Sequence, residues 1–353
     1  MDEQEYRIID MLSRSIGNPM SINELTKKIE KTHGMAHYAN IYAKIQNLES
    51  EKIITLSKVG KSSLASLNFE NYMLIDMLAE TDLKRKQNFL RGRQEMQMLM
   101  LELDTYLHNI LLIKSTSLMN PEQNARLNKA EILIHLKKSD DRKLIQESKL
   151  SVHTVLDTIQ RIHNIRIDYL LLEDEAFFDM LKSSESNPLR EMLHDKIAIL
   201  HPQDFWLTIR NAAESGIKIV TEYGTNPAKI SEQDIIFNLT RFGYTELGPK
   251  IKQGRLLCIE YIISAIIFHN DARRIDAIPI IMAKNKTNYD NLLFLARKYG
   301  FGGRILGILK ILQNLVHIIL DEPIMLLEAM KIEEIKADSK SIKEKLRLYN
   351  VTR

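Results

Sequence analysis

At 353 residues the chain exceeds what one core ordinarily supports, so two or three domains are expected. Its 44% hydrophobic content includes no apolar run of the ~18 to 20 residues a membrane span requires, and the nearest approach, residues 256–268, carries Glu260. The lone Cys258 excludes an intrachain disulfide and paired-cysteine zinc, and a net charge of +3 is too small to mark a nucleic-acid binder unless it is locally concentrated. The opening "MDEQEYRIIDML" carries acids where a secretory leader carries bases, so a cytoplasmic location is expected.

Within residues 1–70, apolar residues at Ile8, Ile9, Met11, Leu12 and Ile16 have helical spacing. Ser21 with Glu24 three residues on predicts the start of a second helix that buries Leu25 and Ile29. Ile41, Ile45 and Leu48 predict a third. Residues 53–69 then divide into two β-rich arms around Val59-Gly60-Lys61, a hairpin whose turn uses the positive φ open to glycine.

Helix, helix, helix, hairpin is the order of a winged helix-turn-helix. The text "YAKIQNLESEKIITLSKVGKSSLASLN" resembles the third helix and wing of winged-helix transcription regulators, with Lys52 where those proteins usually have glycine. The resemblance implies a third helix in the major groove and a wing on the backbone. Residues 31–69 hold five lysines against Glu49 and Glu51, and residues 1–30 are acidic, so charge is polarised toward the expected DNA face. Off the apolar stripe, His37, Tyr38, Asn40 and Lys44 are placed to reach bases or phosphates, with Lys58 and Lys61 on the wing. Docking onto a protein is the bland alternative.

Residues 71–106 have helical periodicity and a basic cluster from Lys84 to Arg93, expected to be one or two linking helices with a solvated face. The methionines there suit core or dimer contacts.

From residue 107 the pattern becomes alternating strands and helices, an α/β unit. The short apolar runs "ILLI" (110–113) and "ILIHL" (132–136) fit two buried strands, "IRIDYLLL" (165–172) a third, and "IAIL" (197–200) another. This order, clearest over 165–209, resembles the minimal nucleotidyltransferases of the DNA polymerase beta superfamily, especially archaeal proteins that join such a domain to a winged helix. That family implies a Gly-Ser turn beside the triphosphate and a carboxylate pair, one residue apart, on divalent metal, often with a third carboxylate on the next strand. Aligned so, Lys114 stands at the glycine, Ser115 at the serine, Lys129 at the first aspartate, Glu131 at the second and Asp168 at the third. A lysine repels the metal, and the Cβ at Lys114 hinders the approach of backbone to phosphate. The expected domain is catalytically degenerate. Ser115, Glu131 and Asp168 remain the catalytic candidates, while Lys114, Ser115 and Lys129 could still hold a phosphate. A shifted alignment would use Asp140 and Asp141 as the metal pair.

Other motifs are weaker. His33 and His37 have helical zinc spacing interrupted by Gly34, and Gly60-Lys61-Ser62 ends like a Walker loop but lacks its first glycine. Residues 216–335 contain several amphipathic or buried helices, Ser231 being an expected N-cap, and "GFGGR" (300–304) reads as a helix end and turn. The segment "ARRIDAIPIIMAKNKTNYDNLLFLARKYGF" is similar to the C-terminal region of the same archaeal proteins. Residues 336–353 form a charged tail with a fraying helix.

The expected architecture is therefore α+β and multidomain: a winged helix (1–70), a helical linker (71–106), a nucleotidyltransferase-like core (107–210), a helical bundle (216–335) and a charged tail (336–353). The expected function is a DNA-binding transcription regulator whose degenerate core is a sensor or interaction platform. Double-stranded DNA is the expected partner, with a protein partner or a second copy left open, and no cofactor is expected. Two alternatives stand beside it: an active nucleotidyltransferase using Mg on a protein, RNA or small molecule, and an antitoxin-like or scaffold subunit.

Overall fold

Asp2 and Ser21 start the first two long helices by the same chemistry. In the computed structural model, which describes the chain except for residue 223, residues 246–250, residue 317 and residues 352–353, the Asp2 carboxylate accepts from the Glu5 amide (2.9 Å) and Glu5 returns to the Asp2 amide (2.7 Å). This capping box opens α1 (Glu3–Ser13). The short strand β1 (Met20–Ser21) follows, and Ser21 Oγ accepts from the Glu24 amide at 3.2 Å to open α2 (Ile22–His33). Helix α3 (Tyr38–Ser50) turns Ile41, Ile45 and Leu48 inward. Strands β2 (Ile54–Val59) and β3 (Ser62–Leu67) form an antiparallel hairpin around Gly60, and β1 pairs with β3 to complete a three-stranded sheet.

Helices α4 (Met73–Leu90) and α5 (Gln94–Leu107) lead to the second sheet. Its elements in chain order are β4 (Ile113–Met119), α6 (Pro121–Arg126), β5 (Lys129–Leu136), α7 (Arg142–His163), β6 (Arg166–Glu173), α8 (Asp174–Lys182), α9 (Pro188–Met192), β7 (Lys196–Leu200) and α10 (Pro202–Glu214). The strand order is β6-β5-β4-β7. Strands β5 and β6 are parallel, joined by the crossover α7, and β4 is antiparallel to both of its neighbours. Side chains alternate between faces. Ile132 and Ile134 of β5 with Ile167 and Leu171 of β6 pack against Leu103 of α5 and Val152 and Leu156 of α7. Leu133, Leu170 and Leu172 face the other core, which includes Phe177, Trp206 and the C-terminal helices.

The first strand differs from expectation. The apolar run 110–113 lies almost wholly in a turn, and β4 is the more polar stretch "IKSTSLM". An interior strand is paired on both edges, so the ladder holds it regardless of side-chain polarity, and Ser115, Thr116 and Ser117 are buried within it.

The C-terminal helices are α11 (Glu232–Arg241), α12 (Ile259–His269), α13 (Ala272–Ile275), α14 (Ile278–Lys284), α15 (Tyr289–Tyr299), α16 (Gly302–Val316), α17 (Asp321–Ala329) and α18 (Ser339–Leu348), preceded by a 3-10 turn at Pro227–Lys229. Helix α12 is buried from Ile259 to Ile267, and α15 packs on β6. The final helix expected in the charged tail is α18, which buries Ile342 and Leu346 and packs on α14. The architecture is thus mixed α+β, with many helices around two small sheets. No described helix is long and apolar enough to cross a membrane.

Two of the ties between the N-terminal module and the body stand out. Gly17 has φ 77°, and a Cβ there would stand 1.5 Å from the Ile219 carbonyl oxygen, so only glycine admits this approach. Beside it, Asn18 Nδ2 donates to Thr221 Oγ1 (3.1 Å). The second tie is a buried ionic chain. Arg85 on α4 pairs with Asp10 on α1 and, at 3.3 Å, with Asp82; Asp82 then accepts from Lys196 Nζ (2.7 Å) and Trp206 Nε1 (2.8 Å). Burial pulls the Lys196 ammonium down to about 8 against the pull of Asp82.

Candidate functional site

Parallel pairing places Glu131 of β5 directly beside Asp168 of β6. Neighbouring strands lie ~4.8 Å apart, and paired residues point to one face, so the two carboxylates converge. Both are nearly inaccessible, at 3% and 2% exposure. The same alternation brings Lys129 and Arg166, each two residues earlier, onto that face. Lys129 Nζ donates to Glu131 at 2.8 Å, and Arg166 Nε to Asp168 at 3.3 Å.

A third cation comes from far along the chain. Lys298, at the end of α15, donates to Glu131 at 3.1 Å. Arg166 fixes that helix end by donating to the carbonyls of Arg297 (2.8 Å) and Lys298 (2.7 Å), and the Arg297 guanidinium lies 3.4 Å over the Tyr169 ring. Burial pushes the Glu131 carboxyl up, but Lys298 and Lys129 outweigh it and leave it below the usual range. At Asp168 burial wins: Arg166 and Arg297 oppose it, Glu131 adds its own charge, and the carboxyl ends above the usual range.

A divalent cation does not fit this donor set. The carboxylate oxygens already carry three cationic partners, and among the described residues no group of three or more His, Cys, Asp or Glu side chains is placed to hold a metal ion.

Lys114 and Ser115 are not part of this cluster. Ser115 pairs with His135, toward the opposite end of β5 from Glu131, and it is Met119 that stands across from Glu131. Because β4 and β5 are antiparallel, the turn after β4, at Asn120-Pro121, is the one beside the carboxylates. Lys114 instead pairs with Asp174 at 2.7 Å, where His135 Nε2 also approaches to 2.8 Å. Asp141 is occupied as the N-cap of α7, accepting from the Lys143 and Leu144 amides, while Asp140 is exposed, so the shifted metal pair does not form. His33 contacts Asp10 at 2.8 Å and His37 lies beyond the break at Gly34, so those histidines do not form a site either.

The second candidate surface is α3 with the hairpin. Helix α3 packs on α1, α2 and β2, leaving His37, Tyr38, Asn40 and Tyr42 exposed, with the Tyr38 and Tyr42 rings stacked at 6.1 Å. Lys58 and Lys61 are exposed on the hairpin, and neither is ion-paired among the described residues. Lys44 is not available in the same way: it donates to Asp2 (2.6 Å) and Glu5 (3.1 Å), folding its charge back onto the start of α1.

Comparison with protein-family models, curated proteins and solved structures finds no match to this chain.

Lys298, Arg297 and Arg166 are the residues of this cluster that were not expected from the sequence. Arg166 had a signal, since its spacing from Asp168 repeats that of Lys129 from Glu131 on adjacent strands. Lys298 had none, because it meets Glu131 through packing between distant segments.

Proposed function

We propose that the chain is a winged-helix DNA-binding regulator in which a nucleotidyltransferase-like core has become a metal-free interaction platform. The observation carrying the DNA reading is the exposed surface of α3 and the hairpin turn, where Lys58 and Lys61 are unpaired among the described residues, while the module is fastened to the body through Gly17, Asn18 and Asp10. Lys52 supports it: its φ of 58° is the left-handed conformation for which the resembled regulators use glycine. The reading of the core rests on the mixed strand order and on the cations around Glu131 and Asp168.

The test is fluorescence anisotropy of the full chain on double-stranded DNA between 50 and 200 mM salt. Phosphate contacts give a log-linear loss of affinity with salt, and Lys58→Ala with Lys61→Ala should lower the slope by roughly 2. Association that ignores salt and the double substitution would reject the reading, as would no association.

The transferase alternative draws on the register of Glu131 with Asp168 and requires Lys298 to withdraw. Thermal unfolding with each Mg-nucleoside triphosphate separates the two. A shift abolished by Glu131→Ala would favour the enzyme, and no shift at saturation favours the platform.

A further inference from the structure

A second site stands at the other end of the sheet. A cleft of about 1060 Å3 opens where β5 and β6 finish, between the segments following them (Ser139 to Lys149 and Glu173 to Asn187) and the C-terminal helices. The carboxyl ends of parallel strands are where open α/β sheets commonly receive ligands. Glu131 and Asp168 lie near the amino ends, so the two sites are separate.

The lining carries nine Asp and Glu side chains against three Lys and Arg, a formal balance of −6 in a chain whose total is +3. The chain already seats primary ammonium groups on it. Lys149, 3% exposed, stands 2.9 Å from Glu173, 3.1 Å from Asp290 and 2.5 Å from Glu322. Lys286, at the exposed mouth, reaches Asp179 at 2.8 Å.

Two buried polar atoms on the lining are left over. Among the described residues, Asn291 Oδ1 and Thr287 Oγ1 have no hydrogen-bond partner, although the residues are only 1% and 8% exposed. The Asn291 amide is oriented by its Nδ2, which donates to Glu260 at 3.0 Å; a flip would set oxygen against carboxylate oxygen. What remains is an acceptor, and a buried acceptor without a donor is unfavourable. The missing group therefore carries a hydrogen-bond donor for Asn291, and the acidic lining favours positive charge on it. The carboxylates are dispersed along the lining, and no described group converges as metal ligands do, so a compact divalent ion is the wrong shape.

We propose that this cleft binds a linear aliphatic oligoamine, one terminal ammonium donating to Asn291 and Thr287 and the remaining nitrogens lying along the carboxylates toward Asp179. The inference is independent of the DNA reading.

The test is calorimetric titration of the full chain with spermidine, against magnesium chloride at equal ionic strength. The expected result is saturable 1:1 binding to spermidine, weakened at least tenfold by Thr287→Val combined with Asp179→Asn. Valine preserves the shape of threonine and removes only the unpartnered hydroxyl, and thermal unfolding checks that the variant folds. A separate surface variant, Lys286→Ala, removes the competing ammonium and should tighten spermidine binding severalfold. Magnesium matching spermidine would overturn the proposal, because it would show only screening of diffuse charge. It would equally be overturned by spermidine affinity that neither variant changes, or by binding of a lysine-rich peptide without binding of the free amine.

Discussion

Lys298 closes over Glu131 from a helix 167 residues later in the chain, donating at 3.1 Å to a carboxylate that already holds Lys129 at 2.8 Å. The contact joins the C-terminal helices to the sheet by charge as well as by packing. Removing the ammonium should leave Glu131 underpaired beside Asp168. Lys298→Met is expected to destabilise the fold by about 1–3 kcal/mol. Glu131→Gln in the same background should recover part of that loss, since it removes the buried charge. Urea midpoints of the wild type, both single variants and the double variant check this, and strict additivity would refute the coupling.

Asp82 has the larger effect. It is shared by Lys196, Arg85 and Trp206, so Asp82→Asn strands a buried ammonium, with an expected loss of about 3–5 kcal/mol. Trp206 is the chain's single tryptophan and donates directly to this carboxylate, so its fluorescence reads the unfolding at the site of change.

Glu191 should give the fold a pH dependence opposite to that of a salt-bridged carboxylate. Burial lifts its carboxyl to about 7 against hydrogen bonds from Tyr261 and Thr225. The ordinary value is 4.5, so between pH 4.5 and 7 the folded state holds a proton that the unfolded state has released. The contribution is greatest at low pH and declines as pH rises through 7, by up to about 3 kcal/mol. Glu191→Gln should flatten this slope. Unfolding midpoints at pH 5, 6, 7 and 8 for both proteins make the comparison, and parallel curves would remove Glu191 as the cause.

Gly17→Ala should loosen the N-terminal module. The added Cβ meets the Ile219 carbonyl at 1.5 Å, and the φ of 77° disfavours any L side chain. A loss above about 1 kcal/mol is expected from the backbone alone, and more from the clash. Limited proteolysis should show earlier cleavage near residues 217–221, while an unchanged pattern would show that the loop simply shifts aside.

Local chemistry was the legible part of this molecule. The Ser21 cap, the Gly60 turn and the inward positions of α3 were readable because each depends on neighbours within a few residues. Strands β5 and β6 were readable because their apolar runs suit burial on both faces. Strand β4 was displaced because its apolar residues lie in the preceding turn while its own Ser-Thr-Ser segment is held by pairing on both edges. That displacement set Lys114 and Ser115 at the wrong end of the sheet from Glu131. The neutralising role of Lys298 and the acidic cleft both arise where distant segments meet, and no periodicity in the chain encodes such meetings. For the same reason the pairing of Lys44 with Asp2 and Glu5, 42 and 39 residues earlier, has no local signal.

The ionic chain from Asp10 to Lys196 also orders events on the ribosome. Asp10 and its module emerge first, and Arg85 follows with α4, but Asp82 must wait for Lys196 and Trp206. At ~5–20 residues per second that wait lasts several seconds or more. Until then Asp82 has Arg85, three residues on in the same helix, as its ionic partner among the residues already made. The buried charge network that ties α1 to the sheet is therefore complete only after β7 and the start of α10 have been made.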